Sequence, residues 1–196
     1  WLQPNSQVED CFVIEGDAFH HICEVCRQGL GARFEILVGD HKAYFCELVQ
    51  MHRKKAIAQV IAKRSVPPLP QPLLRFYVSI PRFSTFDLIL EKLTELGVQQ
   101  VTPMVSENSF VRNRAKVSDS KFQRWQRIIK GASQQSGRPQ LMTLNPVRPL
   151  KEIFEAVTAE TPTKVLNVFP YEGACERTLK SQLRESSLGS LEAVNV

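Results

Sequence analysis

Apolar and polar positions change rhythm once along this chain. Three short strands are predicted in the first third, over residues 34–38, 43–49 and 55–61, with Gly39 and Asp40 as turn residues between the first two. A short helix is predicted ahead of them. Asp17 is spaced to cap it, Ile22 and Val25 give it one apolar face, and Gly29 is placed to end it. Short strands around one helix point to a small β-barrel.

Beyond residue 73 strands and helices alternate. Leu74, Phe76, Val78 and Ile80 share one strand face, with Arg75, Tyr77 and Ser79 opposite. Phe86, Ile89, Leu90, Leu93 and Leu96 recur at helical spacing before Gly97, with Ser84 and Asp87 spaced as a capping box. A strand follows over 100–105. A second helix starts near Ser118, with Phe122, Trp125, Ile129 and Ala132 inward. A third begins at Pro149, with Leu150, Ile153, Phe154 and Val157 on one side. Residues 164–169 and 191–196 read as strands, the first of them buried. This alternation predicts an α/β layer with a largely parallel sheet covered on both faces. Between the two rhythms, Pro67, Pro68, Pro70 and Pro72 can neither pair in a sheet nor continue a helix. The expected organisation is a β domain over 1–66, a stiff linker over 67–72 and an α/β domain over 73–196.

Charge is unevenly spread along this frame. The net charge is zero over residues 1–66, +7 over 67–150 and −2 over 151–196. Between Phe110 and Arg138, eight basic residues (Arg112, Arg114, Lys116, Lys121, Arg124, Arg127, Lys130, Arg138) face one acid, Asp119. Such a stripe suits a phosphate backbone, and equally a solvated helix face. With 43% hydrophobic and 23% charged residues, a wholly disordered chain is excluded. No apolar run approaches the ~18 residues of a membrane helix. No leader segment is read, and five cysteines do not make a disulfide scaffold, so a reducing cytoplasm is the expected setting.

Candidate chemistry is sparse. Cys23 and Cys26 form a C-x-x-C near His20, His21 and His41, but no second pair follows at zinc-finger distance, and both are expected to be reduced and metal-free. His21 and Arg27 offer donors to RNA; one of the two adjacent histidines is expected to point inward. Gln134, Gln135 and Arg138 end the basic helix, where two amides and a guanidinium suit base edges or phosphate; a polar helix end with a Gly137 stop also fits. Glu91, Lys92 and Glu95 are spaced to pair along a solvated helix face. There is no P-loop, no G-x-G-x-x-G and no nucleophile elbow, and the residues name no catalytic base.

Three segments taken together resemble one family: His21-Ile22 through Arg27-Gln28-Gly29, Glu91-Lys92-Leu93-Thr94-Glu95-Leu96-Gly97-Val98, and Ala132-Ser133-Gln134-Gln135-Ser136-Gly137-Arg138. Their order and spacing are similar to those of the ribosomal RNA small subunit methyltransferase E family, of the SPOUT class. The resemblance implies a PUA-like RNA-binding barrel followed by a trefoil-knotted α/β domain. It implies S-adenosylmethionine as cofactor, N3 of a uridine in 16S ribosomal RNA of the small subunit as target, and a homodimer. On this reading His21, Arg27, Arg112, Arg114, Arg124, Arg127, Lys130, Gln135 and Arg138 hold the RNA, and the resemblance places the loop Phe169-Pro170-Tyr171-Glu172 against the cofactor. The family's G-x-E-G-G loop and its L-G-x-R segment belong after Val196, so residues 1–196 are expected to stop short of a complete knot and cofactor pocket. The competing reading is an RNA-binding module without catalysis; a scaffold with a merely solubilising stripe is a third.

Overall fold

The computed structural model describes residues 7–8, 10–38, 41–138, 140–159, 164–170, 173, 178–186 and 188–196. The chain divides into two compact units, Trp1–Pro68 and Leu69–Val196.

The first unit is an antiparallel five-stranded sheet of β1 (Gln7–Val8), β2 (Cys11–Glu15), β3 (Arg33–Leu37), β4 (Lys42–Met51) and β5 (Lys55–Ser65). The strand order is β1-β2-β5-β4-β3. Alternation sends Phe12 and Ile14 of β2 and Ala56 and Ala58 of β5 into the core. In β4 the register shifts between Phe45 and Cys46, a bulge that exposes Phe45 and buries Tyr44, Cys46 and Leu48. Phe12 and Tyr44 meet edge to face at 5.1 Å.

The short helix α1 (Gly16–Phe19) differs from the sequence expectation. From His20 to Val25 it widens into π-type turns, with the Cys26 N–H donating to the His21 carbonyl at 2.9 Å. The wider turn keeps Ala18, Ile22 and Cys23 on the sheet and carries Val25 into solvent. Glu15, not Asp17, precedes the first turn, and the helix ends at Cys26, ahead of Gly29.

The second unit is a parallel sheet of β6 (Leu73–Ser79), β7 (Gln100–Val105), β8 (Thr143–Leu144), β9 (Arg148–Pro149), β10 (Val165–Asn167) and β11 (Ala193–Asn195). Its order is β10-β11-β6-β7-β8, with β9 also paired to β7. Every one of these pairs is parallel. β10 is shorter than expected and half-buried, because it pairs only with β11.

Two helices, α2 (Phe83–Glu95) and α3 (Asp119–Gln135), pack against each other. Their common core contains Phe86, Leu90, Trp125 and Ile129, with Ile80, Val101 and Val105 from the strands and their ends. Phe83, Phe86 and Phe122 ring Trp125, the nearest at 4.7 Å. Ser118 caps α3, its Oγ accepting from the Lys121 N–H. The capping box expected for α2 is not formed: Arg82 takes the cap position without a side-chain bond. The Asp87 carboxylate is drawn to Arg124 of α3 instead, at 3.0 Å. Gly97, at φ 86°, closes α2 in the left-handed conformation that lets Val98 N–H reach the Leu93 carbonyl.

Further along, α4 (Leu150–Thr158) buries Ile153 but leaves Phe154 exposed, and α5 (Leu179–Glu185) is capped by Thr178. No helix among the described residues is long and apolar enough to cross a membrane.

Trp125 is fully buried, yet its indole N–H meets no acceptor among the described residues. Removing the ring should therefore cost far more than removing the N–H. Trp125→Ala is expected to lose about 3–5 kcal/mol in chemical denaturation, and Trp125→Phe less than half of that.

Candidate nucleic-acid interface

The apolar stripe of α3 fixes where its charges go. With Trp125, Ile129 and Ala132 buried, the other arcs of the helix carry Arg124, Arg127 and Lys130. Ahead of α3, Asn113 Oδ1 accepts from the Ala115 N–H and sets a tight turn over Arg114–Lys116. Arg112, Arg114, Lys116 and Arg127 are exposed and Lys130 is half-buried; none has an ion-pair partner among the described residues. Lys121 lies 4.4 Å over the Phe83 ring. Arg124 differs from its neighbours, because its charge is committed to the largely buried Asp87.

In the first unit, by contrast, Arg33, Lys63 and Arg64 are tied to Glu47, Asp10 and Glu35. The Arg64 pair is bidentate, and it holds the Glu35 carboxyl below its ordinary range. His21 is exposed, 3.7 Å from Cys26 Sγ, and His20 is also exposed, contacting Glu24, so neither histidine points inward. Arg27 is exposed at φ 51°, a left-handed turn that leads the chain away from the helix. Among the described residues, no group of three or more His, Cys, Asp or Glu is placed to hold a metal ion.

Arg138 corrects the sequence expectation most clearly. Its side chain does not project beside the glutamines; it is 4% exposed. Gly137, at φ 65°, turns the chain back. Arg138 Nη1 then donates to the Thr94 carbonyl at 2.9 Å and Nε to the Gln140 carbonyl at 2.5 Å. Thr94 belongs to the last turn of α2, the negative end of the helix dipole, and its carbonyl also accepts from the Gly97 N–H, so the guanidinium serves as a clip there. Burial lowers its pKa. Gln134 and Gln135 remain exposed. On α2, Lys92 bridges Glu91 and Glu95 at 3.0 and 2.9 Å, a solvated face as the spacing suggested.

The carboxyl ends of β6 and β7 carry a cluster that the sequence reading did not single out. Ser79 and Ser109 hydroxyls are 2.7 Å apart, Ser106 and Ser109 hydroxyls 2.9 Å apart, and the Ser106 N–H donates to Ser109 Oγ. The S-x-x-S spacing right after an apolar strand was the available signal. At the ends of β10 and β11, Asn195 Nδ2 donates to Asn167 Oδ1 at 2.8 Å. Beyond them Phe169 is 75% exposed and Pro170 is exposed; Tyr171 and Glu172 lie outside the described residues.

Comparison with known proteins bears on this arrangement. The family model described as "RNA methyltransferase domain" matches residues 67–189, and that described as "RNA methyltransferase PUA domain" matches residues 14–61. The chain belongs to the RNA methyltransferase family. Curated relatives carry the name ribosomal RNA small subunit methyltransferase E. The one from Aquifex aeolicus is 33% identical over 154 residues, covering 78% of this chain and 64% of that protein. The one from Bacillus subtilis is 27% identical over 157 residues, covering 76% and 59%. The one from Synechocystis is 27% identical over 138 residues, covering 70% and 43%. The chain thus spans less than two thirds of the length of these relatives.

Solved structures share the fold. A ribosomal RNA small subunit methyltransferase E from Neisseria gonorrhoeae, bound to S-adenosyl methionine, matches with a TM-score of 0.78 at 20% identity, covering 100% of this chain and 78% of that one. A putative methyltransferase from Legionella pneumophila with the same cofactor matches with a TM-score of 0.67 at 20% identity, covering 100% and 86%.

In this RNA methyltransferase family member the unpaired cations and the buried clip should separate cleanly on mutation. Arg127→Ala with Lys130→Ala is expected to weaken RNA binding and to flatten the log–log salt slope by roughly one to two units, with thermal stability kept. Arg138→Met should do the reverse, costing about 1–3 kcal/mol of stability and leaving the salt slope unchanged. Anisotropy titrations at several salt concentrations and denaturant melts read both.

Proposed function

We propose that the chain is part of an S-adenosylmethionine-dependent enzyme that methylates N3 of a uridine in 16S ribosomal RNA, in the cytoplasm and as a homodimer. The observation that carries the reading is the RNA methyltransferase family match over 67–189, laid on a parallel sheet whose unit carries cations without ion-pair partners among the described residues. In this reading residues 1–66 form a PUA-like barrel that grips RNA, with His21 and Arg27 on it. Residues 67–72 are a linker, and 73–196 contribute to a knotted SPOUT-type sheet. Two named relatives were solved with S-adenosyl methionine, which supports the choice of cofactor.

The described residues fit one side of that cofactor. Phe169 stands exposed just past the end of β10, an aromatic face suited to an adenine ring, with Pro170 beside it and Tyr171 and Glu172 next in the chain. Ligands of open parallel sheets bind at such carboxyl strand ends. A cofactor pocket encloses most of its ligand, and one wall does not. When bound, adenosylmethionine supplies the electrophilic methyl group. The chain's own part is to hold the RNA. Arg112, Arg114, Arg127 and Lys130 take phosphates, the exposed Gln135 takes a base edge or sugar, and Arg124 and Arg138 act through structure. The rival reading, an RNA-binding module without catalysis, rests on the exposed cations alone.

Small ribosomal subunits lacking base methylation, incubated with radiolabelled adenosylmethionine and the protein as its gene encodes it, decide between the two. Label in 16S RNA, released as N3-methyluridine on digestion, is expected. RNA binding without label would leave the module; label on another atom would overturn the assigned chemistry.

A further inference from the structure

Phe110 is 66% exposed, and its neighbours show that this is not looseness. Ser109 before it and Val111 after it are both buried, at 4% and 3%. The Ser109 N–H donates to the Ser106 carbonyl, and Ser109 Oγ ties to Ser79 at the end of β6. The Val111 N–H donates to the Ile80 carbonyl at 3.3 Å. The chain is thus pinned on both sides of Phe110, at the carboxyl ends of two neighbouring parallel strands, and the ring is held out into solvent. Arg82, also exposed, places its guanidinium carbon 5.9 Å from the ring centroid. Arg112 and Arg114, exposed and without ion-pair partners among the described residues, follow directly.

We propose that Phe110 is a stacking platform for one unpaired base of the RNA, with Arg82 beside the ring and Arg112 and Arg114 on the adjoining phosphates. A rigid exposed aromatic among cations is what a single-stranded nucleotide needs: a π-face for the base and charge for the backbone. A flat apolar protein surface would gain nothing from three neighbouring arginines. A duplex would hide its bases from the ring. The proposal rests on the RNA-binding reading and adds which residue meets a base.

The test is fluorescence anisotropy of the 196-residue chain with a labelled single-stranded RNA, and with a duplex of equal length, over a salt series. Phe110→Ala and Phe110→Leu are expected to weaken single-strand binding by about fivefold or more, with unchanged salt slope and unchanged duplex affinity. Phe110→Trp should bind as well or better. Because the side chain is exposed, all three should melt as the parent does. Salt-sensitive binding that none of the Phe110 variants alters would overturn the platform and leave the basic face standing. Equal loss for single strand and duplex would overturn it too, as would full binding by Phe110→Leu, which would replace stacking by a plain apolar contact. No RNA binding by the parent chain would overturn both readings.

Discussion

The packing of Trp125 between α2 and α3 is the contact on which the rest of this surface depends. A fully buried indole ringed by three phenylalanines fixes the rotation of α3 about its own axis. Helical periodicity then leaves Arg127 and Lys130 no place but the remaining arcs. Burying one large aromatic is worth roughly 1.5–3 kcal/mol, more than the repulsion among a few solvated cations under ionic screening. The helix can therefore keep a strong unpaired positive field without unfolding. Asp87 and Arg138 serve the same contact from its edges. Asp87 of α2 takes up Arg124 of α3 across the seam, and Arg138 fastens the end of α2 by the Thr94 carbonyl.

The parallel sheet contributes a second constraint. The loops after β6 and β7 leave from the carboxyl ends of strands that are held on both sides, so short connections there inherit the rigidity of the sheet. The serine cluster at Ser79, Ser106 and Ser109 extends that rigidity one turn further. Charge and rigid apolar surface thus lie in one unit, while the cross-strand cations of the first unit are neutralised by carboxylates. Membership of the RNA methyltransferase family accords with a unit that carries exposed positive charge and a parallel sheet with open carboxyl strand ends.

Much of this was legible from the residues. The bounds of β7 and the cap and inward face of α3 follow from a clean 3.6-residue stripe after Ser118 and a short β-rich run. Other features escaped because tertiary contacts override local rules. Asp87 is spaced to cap α2, but a cation on another helix claims it. Val25 sits at helical spacing, but π-type turns rotate it outward. Phe154 shares the apolar stripe of α4 and is nonetheless exposed. Strand β2 is five residues, preceded by Asp10 and ending on Glu15, too short for its alternation to stand out. Arg138 looks like a surface residue in a polar segment, and only the fold brings the Thr94 carbonyl, 44 positions earlier, to meet it. The glycine that turns the chain there was readable; its destination was not.

The central claim is that the surface from Phe110 through α3 is where RNA lies. Ultraviolet cross-linking of the protein to small-subunit ribosomal RNA, followed by mass spectrometry of nucleotide-bearing peptides, tests it most directly. Nucleotide adducts should fall on peptides from 107–138, with Phe110 itself among the modified residues. Adducts confined to the first unit, or to α4 and α5, would contradict the account.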